Sequence, residues 1–156
     1  AGTRANIGKS SGKWYWEYTI TTSAVNEYTV VGVGNSSQVL NDHVGNSTNG
    51  WGYYQTDGNK VYNDSLTSYG NSFATGDKVG VALNMDTGKV WFSKNGTWQN
   101  SGDPTAGTGE AFSGLTGTIY PMISMIQHST VVTANFGSSK FSYVPPSGFM
   151  PGLYSL

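Results

Sequence analysis

Two histidines and nine acidic side chains are the groups in this 156-residue chain that acid–base chemistry near neutral pH would draw on. Such chemistry needs them to converge with tuned pKa values. His43 and His128 fall in no metal-ligand spacing such as His-x-x-x-His, and each reads as a surface or structural residue. No Gly-x-Ser-x-Gly nucleophile elbow occurs. A polysaccharide-cleaving enzyme needs two carboxylates at a controlled separation, and no such pair stands out. Asp57, Asp86 and Asp103 sit at turns beside Gly or Pro, where an Asx turn accounts for them. The run from Asp57 to Asp64 lacks the spacing of a twelve-residue calcium loop. Glu17 is the exception, because it interrupts an aromatic run; a structural hydrogen bond or partial exposure explains it. The inventory reads as a non-enzyme, with no catalytic residue, no metal site and no cofactor.

A second kind of chemistry is suggested by FSKNGTWQ, residues 92–99. Asn95-Gly96 supplies the two residues tolerant of positive φ that a type I′ hairpin needs, with Lys94 and Thr97 paired beside it. Asn95 also fits the Asn-x-Ser/Thr acceptor pattern, as do Asn35, Asn46 and Asn63. With 13 Asn in the chain, and about a quarter of residues Ser or Thr, chance alone gives roughly three matches to that pattern. Four is no excess. Trp98 lies outside any alternating pattern, and either caps a sandwich edge or serves as a ligand platform.

The elements that must position these groups are strands. Lys13–Thr22, KWYWEYTITT, places Trp14, Trp16, Tyr18 and Ile20 on one face and Tyr15, Glu17, Thr19 and Thr21 on the other, the pattern of a strand with one face buried. Tyr28–Gly34 is a second strand, whose Gly32 and Gly34 predict a close approach by another group. Asn35–Asn49 is polar and aperiodic, a long loop. Gly50–Gln55 and Lys60–Asn63 flank an Asp57-Gly58 hairpin, where only one of Tyr53 and Tyr54 can face inward. Trp51 packs between sheets. Val79, Val81, Leu83 and Met85 share a face, Asp86-Thr87-Gly88 turns the chain, and Val90 and Phe92 point inward. Tyr120–Gln127 and Thr130–Phe136 form the last pair, and Pro145-Pro146 ends regular structure. No segment keeps helical spacing over three turns and no fixed repeat appears. About ten short strands predict an all-β fold of two antiparallel sheets packed face to face.

Composition agrees. The length suits one domain, read as residues 1–156 with a core over about 8–149. Net charge is -1 and only 11% of residues are charged, so a basic field for nucleic acid is lacking. No apolar run approaches the roughly 18 residues of a membrane span. Absent cysteines remove disulfides and thiolate chemistry. The start has neither Met nor a signal-peptide pattern, which reads as a piece of something longer.

In order, GKWYWEYTI (12–20), VVGVG (30–34), NGWGYY (49–54), GDKVGVALNMDTGKVWFSKNG (76–96), AFSGL (111–115), YPMISM (120–125) and TANFG (133–137) resemble the SPRY domain over about residues 8–149. The resemblance implies a bent, concanavalin A-like sandwich and a binding module without catalysis, which grips a peptide or protein with loops at one edge. Three stretches correspond to that edge: Thr3-Arg4-Ala5, the loop Asn35–Gly45, and Ile126–Ser129. Some peptide-binding relatives carry Trp-Gly at the third, where this chain has Gln127-His128. Asn100–Gly109 reads as an insertion. The ligand residues expected are Arg4, Asn35, Ser36, Asn41, His43, Trp98, Gln127 and His128. The Asn-, Gly-, Ser- and Tyr-rich style and the ending are similar to SPRY modules of bacteriophage structural proteins. That implies a tail-fibre or virion-surface component meeting a host protein or glycan, or contacting neighbouring subunits of its assembly.

Overall fold

The computed structural model describes residues 1–23, 28–126 and 129–154. Twelve strands are present among them: β1 (Gly2–Arg4), β2 (Lys13–Thr22), β3 (Thr29–Gly34), β4 (Gly50–Tyr54), β5 (Lys60–Tyr62), β6 (Ser65–Thr67), β7 (Lys78–Asn84), β8 (Lys89–Lys94), β9 (Thr97–Trp98), β10 (Tyr120–Met125), β11 (Val131–Asn135) and β12 (Met150–Pro151). One short 3-10 turn covers Gln99–Ser101, and no α-helix occurs among the described residues. The first sheet runs β1-β10-β3-β4-β5-β6 and the second β11-β2-β7-β8-β9. All pairs along both paths are antiparallel; β12 joins β2 in parallel, through Met150 opposite Trp14.

Alternation along the strands builds the core between the sheets. Trp16, Tyr18 and Ile20 from β2, Val79, Val81 and Leu83 from β7, and Val90 and Phe92 from β8 meet Val31, Val33, Trp51 and Tyr53 from the first sheet. The hairpin at residues 94–97 forms as the dipeptide requires. Asn95 and Gly96 take φ 48° and 81°, and Lys94 pairs with Thr97. Asn95 donates from Nδ2 to Asp77 Oδ1 at 2.7 Å, and its Oδ1 accepts the Lys78 backbone N–H at 2.8 Å, so its amide is spent on the fold.

Three expectations need correcting. First, β2 is buried on both faces: Tyr15 and Glu17 are 1% and 3% exposed. The segment after β11 covers the outer face of the second sheet, where Phe141 and Phe149 pack with Tyr15, Ala82 and Trp91. Second, regular structure does not end at Pro145-Pro146, because β12 follows and Gly152 donates its N–H to Tyr15 O at 2.8 Å. Third, Asn63 lies outside the strand: β5 ends at Tyr62, and Asn63-Asp64 follow as a turn. Both take positive φ, 50° and 58°, and turn β5 into β6 as a second two-residue hairpin.

The outer face of the first sheet is covered as well. Gly32 lies opposite Gly52, and Gly34 opposite Gly50. A Cβ on Gly32 would come within 2.8 Å of Val44 Cγ1; one on Gly34 would come within 3.1 Å of Gln38 Cβ. These four glycines form a bare floor on which the loop 35–49 lies flat.

Candidate functional site

That loop is aperiodic in sequence yet tightly held. Its base is closed by Asn35 N–H to Asn49 O at 2.9 Å and by Asn35 Nδ2 to Asn49 Oδ1 at 3.1 Å. Gln38 is buried against the floor; its Nε2 donates to Asn46 Oδ1 at 2.8 Å and its Oε1 accepts from Ser47 Oγ at 3.2 Å. Val44 packs with Val30, Val61 and Met122 on the outer face, and its N–H donates to Ser124 Oγ at 3.0 Å. A buried amide with both ends paired fixes a loop far more firmly than polar composition suggests.

The N-terminal arm clamps the loop from the side. Gly2 N–H donates to Leu40 O at 2.6 Å and Arg4 Nη1 to Ser36 O at 2.8 Å, with the guanidinium 5.4 Å from the Tyr120 ring centre. Arg4 thus meets the loop that carries Asn35, Ser36, Asn41 and His43. Gln127 and His128 lie outside the described residues. Their neighbour Ile126 is 52% exposed and reaches the same edge. Trp98 does not join them. It sits on β9, at the far edge of the second sheet, with its ring edge-on to Tyr15 at 6.2 Å. It also borders a shallow groove with Ser68, Asn71 and Asn100. Its packing on Tyr15 matches the capping reading of this residue. Arg4 Nη1 and the Asn35 side chain both bond within this arm-and-loop contact.

His43 is held from both sides. Nδ1 is 3.0 Å from Asp42 Oδ1 and Nε2 is 3.4 Å from Asp64 Oδ1. The His43 backbone N–H, with the Asn46 side chain behind it, holds the Asp42 carboxyl below the usual carboxylate range. Beside this bridge is a cavity of about 200 Å³ lined by His43, Tyr54, Val61, Asp64, Leu66 and Ile126. Tyr54 stacks on Tyr28, with ring centres 5.8 Å apart and planes 8° apart. Sequence reading missed Asp64 and Leu66 here. The signal was the Asn63-Asp64 dipeptide, which marks the turn carrying Asp64 to His43. No group of three or more potential metal ligands occurs among the described residues, and no helix there is long and apolar enough to cross a membrane.

Comparison with known proteins fits this architecture. The family model described as the SPRY domain matches residues 13–139. The chain is 28% identical over 138 residues to Ran-binding protein 9 of Xenopus laevis, covering 88% of this chain and 24% of that protein. It is 32% identical over 154 residues to the ATP-dependent RNA helicase Ddx1 of Drosophila melanogaster, covering 96% and 19%. The Ran-binding proteins 9/10 homolog of the same fly is 28% identical over 138 residues, covering 88% and 13%. The chain therefore spans less than a quarter of the length of these relatives. By the extent of the family match and the two-sheet sandwich that carries it, the chain belongs to the SPRY domain family.

Proposed function

We propose that this domain is a non-catalytic protein-binding module that holds a segment of its partner against the edge made by β1, the loop 35–45 and the end of β10. One observation carries the reading. Stretches about 35 and 120 residues from the chain start (an approximate spacing of the kind that loops on a rigid scaffold bridge) meet the N-terminal arm there, and large apolar side chains stay open to solvent beside them. Leu40, Leu66 and Ile126 are 40%, 49% and 52% exposed. Apolar groups grouped on a rim, against a loop already paid for in order, suit a contact surface that binds with little rearrangement.

A glycan ligand and a phage-tail or virion setting are finer readings. The relatives matched come from frog, fly, fish and mammals and lend them no support. Contacts between sister subunits would use the same apolar side chains, and light scattering separates that case by the mass in solution.

The test is a random-peptide display library panned on the immobilised domain. Replacing the whole loop would remove the buried Gln38 and Val44, so point variants at exposed positions are needed. Leu40→Asp and Leu66→Asp should each weaken the selected peptides at least about tenfold, the order expected for an apolar contact at the centre of an interface, while melting as the wild type does. Peptides indifferent to both changes would place the ligand elsewhere.

A further inference from the structure

The cavity beside His43 narrows the partner's chemistry; the inference rests on the reading of this edge as the ligand-binding edge. We infer that the cavity receives a lysine or arginine side chain of the partner, its aliphatic stem against Leu66 and Ile126 and its charged head at Asp64.

The walls and the rim have different characters. Tyr54, Val61, Leu66 and Ile126 supply apolar surface, and the stacked Tyr28–Tyr54 pair presents aromatic rings at one side. About 200 Å³ is small beside the roughly 300–1,000 Å³ of sites for whole small molecules, and suits one inserted side chain. At the rim stands the Asp64 carboxylate; the His43 ring beside it also contacts Asp42, and among the described residues no lysine or arginine lies within 4 Å of either acid. Every other ion pair in the described chain involves a lysine on a different surface: Lys89 with Glu110 and Lys94 with Asp77.

The His43 bridge also fixes where the charge sits. Asp64 Oδ1 is 3.4 Å from Nε2, and with its side chain 76% exposed the carboxylate stays open to an incoming cation. A carboxylate on a rigid two-residue turn loses little freedom on pairing. An apolar stem with a cationic head is the one side-chain type that satisfies wall and rim together. A neutral apolar side chain would leave Asp64 without a lysine or arginine partner, and an acidic one would be repelled.

The experiment uses the same random-peptide library on the intact domain, with fluorescence polarisation of the enriched peptides at two salt concentrations. Asp64→Asn is a mild change, because Asn tolerates the left-handed backbone at this position. The selected peptides should carry Lys or Arg next to an apolar residue. Asp64→Asn should weaken them about fivefold, more at low salt than at high, as partly exposed charge pairs do; changing the peptide's basic residue to Met should have a similar effect, and combining the two changes should add little. Peptides that lose binding to Leu66→Asp but lack basic residues and ignore Asp64→Asn would overturn this inference and leave the binding edge standing. Peptides indifferent to both variants, or a library that yields none above the Leu66→Asp background, would overturn both.

Discussion

Replacing Glu17 with alanine lowers the melting temperature by about 8–16 °C, the shift expected for roughly 4 kcal/mol in a domain of this size. The carboxylate is buried in the second sheet, with no lysine or arginine in ion-pair reach among the described residues. Its charge is held by donors alone. Tyr15 Oη donates to Oε1 at 2.9 Å, Ser142 N–H to Oε2 at 2.9 Å, and Tyr143 N–H to Oε1 at 2.9 Å. Hydrogen bonds to an ionised acceptor are among the stronger ones, and removing the acceptor leaves three donors without a partner. The same contact pins the C-terminal segment over Tyr15 and Trp91, so the variant should also become open to trypsin at Lys140. Glu17→Gln keeps Oε1 but turns an amide N–H₂ toward Ser142 N–H, and should lose at least half as much. A Glu17→Ala variant that melts within about 2 °C of the wild type, about 1 kcal/mol or less, would show that the segment is held by its apolar contacts alone.

Gly32→Ala should cost about 3 kcal/mol, the upper part of the range for overpacking a filled site. The added Cβ would meet Val44 Cγ1 at 2.8 Å, Gly52 Cα at 3.0 Å, and the Trp51 carbonyl oxygen closer still. Two of those three are backbone, which cannot swing aside. Lifting Val44, and with it His43, away from Asp64 would relieve part of the strain, and the rest falls on the β3–β4 pairing. Peptide binding should therefore fall more than the loss in stability alone requires at temperatures where the domain stays folded. Gly2→Ala is the control, since its Cβ would meet its nearest atoms at 3.5 Å, an ordinary contact. Equal, small effects of the two changes, read by thermal unfolding, would mean that the floor under the loop relaxes freely.

The parts of the fold that follow a period were legible. Alternation in β2, β7 and β8 assigned the inter-sheet core, and Asn95-Gly96 gave a turn with its register. Gly32 and Gly34 announced a close approach. Their partners Gly50 and Gly52, and the loop that fills the space, depend on strand pairing that no local pattern states. The burial of Tyr15 and Glu17 was hidden for a related reason. Its cause, Phe141 and Phe149, lies in an aperiodic segment more than 120 residues away. At the proposed binding edge, family resemblance groups Arg4, Asn35, Ser36, Asn41 and His43. Asp64 is not among them, because only the β5–β6 turn brings it across to His43. Trp98 drew notice by its type, yet its place on β9 is set by the hairpin beside it.

Amide hydrogen exchange with and without a saturating display-selected peptide tests the binding edge most directly. The account predicts added protection in residues 36–45 and 62–66, with no change at 97–101 or 139–151. Protection confined to the outer face of the second sheet, or to the groove beside Trp98, would contradict it.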